Sequence, residues 1–329
     1  MTTTSTAIPC AHPEDRTRVL YAAHDYITGN RFEICRCDEC GLATTRPAPS
    51  LDTISRYYPE GYYGQNRRYP RPLEWLLDRL YAYRARAIER VIGRSAGRAL
   101  DIGCGRGSLL AHLRSRGWSV MGTELSEEGA RYARDVLHLD VRTGDLREVD
   151  IDGRFDLIIL WHVLEHVADP ESVLHEAAQR LEPGGTTLVA VPNFTSFEAQ
   201  WGKSAWFHLD VPRHVNHFTP RLLRQMLRRE GLAPYASGYF AVEYDSFSFA
   251  QTALNMLGFQ HNLFYDLIRT RGAKVLSANP RPKLRDIMLT LVLAPLLLAM
   301  SPPWIALVVL LRRGATIVIY ARNGEPASE

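Results

Sequence analysis

Three glycines at alternate positions, Gly103, Gly105 and Gly107, follow an acid, Asp101, at the end of an apolar stretch. Such a turn carries a strand sharply into a helix while a ligand rests against bare backbone. Side chains at 103, 105 and 107 would obstruct that ligand, and glycine tolerates positive φ. The helix expected over Ser108 to Arg116 is closed by Gly117. Its free N–H groups and positive dipole end point at whatever is bound. The pattern predicts a pocket for an adenosine-containing ligand. Its G-x-G-x-G spacing differs from the G-x-G-x-x-G of dinucleotide sites, which argues against a nicotinamide-dependent dehydrogenase. Glu124 ends the next expected strand, about 20 residues beyond the glycines, where an acid can accept from both hydroxyls of a ribose.

Two further groups of side chains have chemical potential. His162 and His166 follow the fourth expected strand, and His208, His214 and His217 follow the fifth. Histidine is the side chain best suited to take a proton near neutral pH. Cys37 and Cys40 form a C-x-x-C turn ahead of Gly41, half of a zinc ribbon. Cys10 and His12 are the nearest completing ligands, with His24 and Cys35 as alternatives. Both a structural zinc and an eroded, metal-free ribbon remain open.

The elements that position these residues read as an alternation of strand and helix over 98–193. Strands are expected before Asp101, at Trp118 to Glu124, Val141 to Thr143, Phe155 to Leu160 and Thr187 to Val191. The near-continuous apolar run at 155–160 fits a central parallel strand buried on both faces. Ser126, Asp169-Pro170 and Thr219-Pro220 carry helix-start signals. Leu73, Leu76, Leu77, Leu80, Ala87, Ile88 and Val91 repeat at helical spacing ahead of the first strand. The fold class is therefore α/β, a Rossmann-like doubly wound sheet.

With the Gly-rich turn, the acids and the stretches W-H-V-L-E-H-V-A-D-P (161–170) and P-R-H…H-F-T-P (212–220) in place, the chain resembles class I S-adenosylmethionine-dependent methyltransferases. The finer resemblance is to the ubiquinone-biosynthesis O-methyltransferase branch and its sugar-tailoring relatives. It implies a seven-stranded sheet, S-adenosyl-L-methionine as cofactor and a helix carrying Leu73 to Val91 over the cofactor, where it closes the pocket. It assigns cofactor contacts to Asp101, Gly103, Cys104, Gly105, Gly107, Glu124, Leu125, Asp145, Leu146 and Trp161. Among these, Asp145 takes the adenine amino group and Leu146 packs on the ring. An acid tends to occupy the place of His162 in the quinone enzymes, so the chain departs there. Transfer to an oxygen needs a base, and His214 or His217 is expected to serve, with His162 next. The acceptor is expected to be a lipid-soluble or lipid-linked molecule, a polyprenyl quinone precursor or a glycan intermediate. Alternatives are C-methylation of a nucleotide-linked sugar and a non-catalytic protein that keeps the fold. The latter predicts loss of the acids, yet Asp101, Glu124 and Asp145 are present.

The 329 residues exceed a minimal domain of this class. The expected division is a degenerate zinc-ribbon-like module at 1–70, the cofactor-binding domain at 71–244, an apolar helical insertion at 245–313, and the final strand and tail at 314–329. A net charge of +3 implies no nucleic-acid partner. No secretory signal is read at the N-terminus, and the few cysteines fit a reducing, cytoplasmic setting. No charged residue occurs from Ile287 to Leu311, while Lys283, Arg285, Arg312 and Arg313 flank the run. Ser301-Pro302-Pro303 is expected to break it into a helical hairpin that dips into one leaflet of the cytoplasmic membrane. A hairpin buried against protein is the alternative.

Overall fold

The computed structural model describes residues 16–57, 71–242, 244–269 and 282–324. Strands β1 (Thr17–His24), β2 (Arg31–Cys37) and β3 (Ala43–Arg46) precede a short helix α1 (Leu51–Ile54) and the long helix α2 (Arg71–Ile92). The α/β domain follows with β4 (Gly97–Ile102), α3 (Ser108–Ser115), β5 (Trp118–Glu124), α4 (Glu127–Asp135), β6 (Val141–Thr143), β7 (Phe155–Trp161), α5 (Pro170–Gln179) and β8 (Leu181–Pro192). Next come α6 (Phe197–Gly202), β9 (Asn216–His217), α7 (Pro220–Arg229) and β10 (Leu232–Gly238). Helices α8 (Asp245–Met256), α9 (Leu263–Arg269) and α10 (Leu284–Leu310) lead to the last strand, β11 (Thr316–Asn323).

Seven strands form one sheet in the order β10-β11-β8-β7-β4-β5-β6. Strands β4 through β8 run parallel, and β11 enters antiparallel between β8 and β10. The chain order reverses at β4, so the ends of β4 and β7 open a crevice where such sheets bind ligands. Apolar clusters cover both faces. Leu100, Ile158, Leu160 and Val189 pack toward α5 and α7, and Ala99, Leu157, Ile159 and Leu188 pack toward α2 and α3. The caps work as the sequence predicts: Asp169 accepts from the Ser172 N–H and Thr219 from the Leu222 N–H.

Three expectations change. Strand β8 starts at Leu181, because the Glu182–Gly185 segment bulges alongside β7 instead of ending a helix. The strand expected at Tyr235 to Tyr244, as partner of the last one, is β10, which ends at Gly238 and leaves residues 239–242 outside the sheet. The apolar run is one continuous helix, so the expected break at Ser301 and the hairpin built on it are wrong. Pro302 supplies no N–H for the Leu298 carbonyl four residues back, but the Ser301 hydroxyl donates to that carbonyl at 2.8 Å. The lost backbone bond is thereby replaced, and the helix persists through the prolines.

A second sheet joins β1, β2 and β3 to β9, a two-residue strand that belongs in sequence to the α/β domain. Phe32, Ile34 and Ala43 from this sheet share an apolar cluster with Phe194, Trp206, Leu209 and Val211. The N-terminal segment is thus held by packing and strand pairing. Cys37 and Cys40 bracket the turn after β2, where the Gly41 N–H donates to the Cys37 carbonyl. Cys10 and His12 lie outside the described residues, so a zinc ribbon is not shown.

Candidate active site

The glycine turn takes the left-handed backbone that its sequence permits. Gly103, Gly105 and Gly107 have φ of 68°, 56° and 74°, a region that L side chains rarely adopt. A Cβ on Gly103 would sit 2.7 Å from Val163 Cγ2, so the turn abuts the segment after β7. A Cβ on Gly105 would meet nothing within 4 Å; that side of the turn is open. Cys104 turns toward β5, where its thiol fills the space beside Gly122. These features leave a backbone cradle that S-adenosylmethionine fits.

Acids line its rim. Glu124 is buried, and its two oxygens accept the N–H groups of Gly105 at 2.7 Å and Ser126 at 2.8 Å. Burial lifts its pKa, while those backbone donors pull it back. Asp101 is buried deeper, and burial pushes it up to about 7 against the opposing charge of Arg84. The buried Arg84 guanidinium, on α2, lies 3.7 Å from the centroid of the Trp161 ring. Asp145 is held below the usual carboxylate range by Arg147, whose side chain donates to it at 2.8 and 2.9 Å. Leu125 is 69% exposed at the rim, whereas Leu146 is part of the main core.

The histidines separate into three environments. His162 follows β7 with φ of 55°, an uncommon conformation for a non-glycine residue and one that clusters at functional sites. Its Nδ1 lies 2.7 Å from Glu165 Oε1, and its buried Nε2 has no partner among the described residues. His208 stacks on it at 6.1 Å and likewise presents an unpartnered Nε2. Tyr244 packs edge-on against both rings, at 4.7 and 6.2 Å. Burial lowers both histidines to about 3, so both rings are neutral near pH 7.

His166 and His214 form the second environment. Their Nδ1 atoms donate to the carbonyls of Arg213 and His208. Among the described residues, Glu165, His166 and His214 are the set that could hold a metal ion, with one ligand atom of each within 4.8 Å of the others. His217 stands apart from both. The Thr45 hydroxyl donates to the His214 carbonyl at 2.7 Å, so the His217 Nε2–H donates to the Thr45 oxygen at 3.0 Å. That imidazole pins β9 to the N-terminal sheet.

The loop carrying these groups is anchored by Arg213, which is 1% exposed. It donates to Asp25 at 3.0 Å, to both oxygens of Asp210, and to the Tyr57 carbonyl. Burial would raise Asp210, but Arg213 holds it down at about 2.

The site therefore gathers Asp101, Glu124, Trp161 and His162 from the sequence expectation and leaves His217 aside. It adds Arg84, Glu165 and Tyr244, which the sequence reading gave no role, and brings His208 forward. Arg84 had a legible signal: a cation one turn before Ile88, on the face of α2 that packs on the sheet.

A doubly wound sheet with this glycine cradle and acid rim defines a class I S-adenosylmethionine-dependent methyltransferase. A family model described as "Methyltransferase domain" matches residues 73–237, half of the chain, and the chain belongs to that family. It is 30% identical over 200 residues to an uncharacterized 37.1 kDa protein in transposon TN4556 of Streptomyces fradiae, covering 56% of each chain. It is 32% identical over 178 residues to the ubiquinone biosynthesis O-methyltransferase of Maricaulis maris, covering 49% of this chain and 69% of that one. The corresponding enzyme of Dechloromonas aromatica is 34% identical over 116 residues, covering 32% and 49%. The chain spans about half the length of the first curated relatives it matches. A solved S-adenosylmethionine-dependent methyltransferase from Mesorhizobium loti aligns at TM-score 0.44 and 18% identity, covering 72% and 96% of the two chains.

Proposed function

We propose that this methyltransferase acts on a hydroxyl of a lipid-soluble acceptor at a membrane surface, with His162 as the base. When bound, S-adenosylmethionine supplies an activated methyl group for in-line displacement by the acceptor oxygen. In this reading Glu124 receives the ribose hydroxyls, and Asp145, with Leu125, borders the adenine. Arg84 and Asp101 offer opposite charges suited to a zwitterionic amino-acid end.

The observation that carries the assignment is the His162–Glu165 pair. Burial raises the Glu165 pKa, and the neighbouring His166 and His214 offset part of that rise. In its ionised form Glu165 accepts from Nδ1–H and leaves the Nε2 lone pair free to take the acceptor's proton. Glu165 then stabilises the imidazolium that forms, as a buried acid does for any base it orients. His208 and Tyr244 wall the position where the hydroxyl would sit.

A row of rings supports a lipid-soluble acceptor. Phe207 adjoins His208 at 5.2 Å and Phe247 at 5.2 Å, and Phe247 stacks on Phe264 at 5.1 Å. Phe264 packs into the cluster of Leu254 on α8, Phe259 just beyond it and Ala294 on α10. An apolar tail laid on these rings would reach α10 while its head stayed at His162.

The domain division at 1–70, 71–244, 245–313 and 314–329 is retained as part of this proposal, with 245–313 the acceptor-delivery segment. The test incubates the full chain with methyl-labelled S-adenosylmethionine and separate organic and aqueous extracts of cells lacking the protein. Label in an alkali-stable ether of the organic extract is the expected result. Label only in the aqueous extract would overturn the acceptor class.

A further inference from the structure

The charge-free helix α10 is a candidate membrane anchor, and its geometry decides how it would lie. It contains 27 residues, about 40 Å in length, against about 30 Å for a hydrocarbon core. Only Thr290, Ala294, Ser301, Ile305 and Val308 are buried, forming one narrow stripe. Met288, Leu291, Val292, Leu296, Met300 and Leu307 are exposed on the remaining circumference, at 47 to 63%. A surface helix in water carries polar residues there.

Both ends carry cations. Lys283 and Arg285 precede the apolar run and outnumber Asp286, and Arg312 and Arg313 follow it, all four cations exposed. Near the second end, Trp201 and Trp304 lie 5.3 Å apart, and Phe197 and Phe249 adjoin Trp304 at 6.0 and 5.7 Å. Trp201 is 58% exposed. Tryptophan beside arginine is the composition of a headgroup-level belt.

We infer that α10 lies in the plane of a single leaflet of an anionic membrane, with both cationic ends at headgroup depth. A spanning helix would carry one cationic end through the hydrocarbon. Pairing two copies of the chain through this face would set cationic end against cationic end in either direction. Anionic headgroups complement both ends at once. This inference extends the proposed membrane setting but needs no acceptor or turnover, so it can fail independently of the methyl-transfer reading.

The test is flotation of the full chain with vesicles of phosphatidylcholine alone or mixed with phosphatidylglycerol. Wild type floats with the mixed vesicles, less with neutral ones, and less as salt rises. Arg312→Gln lowers the partition about fivefold. The double variant Leu296→Glu/Met300→Glu stays at the bottom, yet binds S-adenosylmethionine as wild type does, which certifies its fold. Leu284→Cys and Leu311→Cys, added outside preformed vesicles, react equally with an impermeant maleimide. Wild type that stays at the bottom with mixed vesicles overturns the inference, as does a stable dimer that the double variant disrupts. Protection of one labelled end overturns the in-plane orientation.

Discussion

Glu124 is expected to govern cofactor affinity, and its substitution by glutamine isolates how. In the structure its carboxylate accepts Gly105 N–H and Ser126 N–H, one on each oxygen. Glutamine keeps the shape but has one carbonyl oxygen, so its amide group faces a backbone donor. That unpaired donor costs roughly 1–3 kcal/mol of stability. In the complex, two charge-assisted bonds to ribose hydroxyls are also lost or weakened, each worth about 1.5–3 kcal/mol. Some bonding survives through the neutral amide, so a net loss of about 3 kcal/mol is expected. At about 1.4 kcal/mol per tenfold, the Kd for S-adenosylmethionine rises roughly 100-fold. Glu124→Asp keeps the charge on a shorter stem and should fall between. Isothermal titration of folded protein reads the effect directly. A Kd within about threefold of wild type for Glu124→Gln would refute the placement of the ribose at Glu124.

Two further expectations concern stability. Glu198 is buried, accepts from the Ser248 hydroxyl, and is pushed by burial to about 7. Its folded pKa lies above the unfolded value, so the folded state holds the proton more tightly. Stability then falls as pH rises from about 4.5 to about 7 and levels off above. The difference amounts to roughly 3 kcal/mol. Glu198→Gln should flatten this dependence in urea titrations at a series of pH values; an unchanged slope contradicts it. Arg213→Met leaves Asp25 and Asp210 without their buried counter-charge and should cost about 3–5 kcal/mol in denaturant unfolding. A loss under about 1 kcal/mol would show that Arg213 does not anchor the loop.

The parallel core was legible because strand burial on both faces leaves an unbroken apolar run, as at 155–160, and because Asp169 and Thr219 carry their capping chemistry locally. The glycine turn was legible for the same reason: three positive φ values demand three glycines. What escaped depends on distant partners. Pro302 and Pro303 read as a break, and only the Ser301 bond to the Leu298 carbonyl shows why the helix continues. The pairing of His217 to Thr45 depends on a strand more than 170 residues away, so no local signal could have announced it. Arg84 and Glu165 escaped because a charge on a buried face gains meaning only from its neighbours. The exposed face of α2 shows the converse: Leu76 and Val91 fit the helical repeat yet remain 45% and 40% exposed, while Arg84 and Glu89 are buried.

The base at His162 is the central claim, and single-turnover methyl transfer by His162→Gln tests it most directly. Glutamine preserves polarity but cannot take the proton. The rate should fall about 10²–10⁴-fold while the Kd for S-adenosylmethionine stays unchanged. A wild-type rate in this variant, with cofactor still bound, would contradict the account.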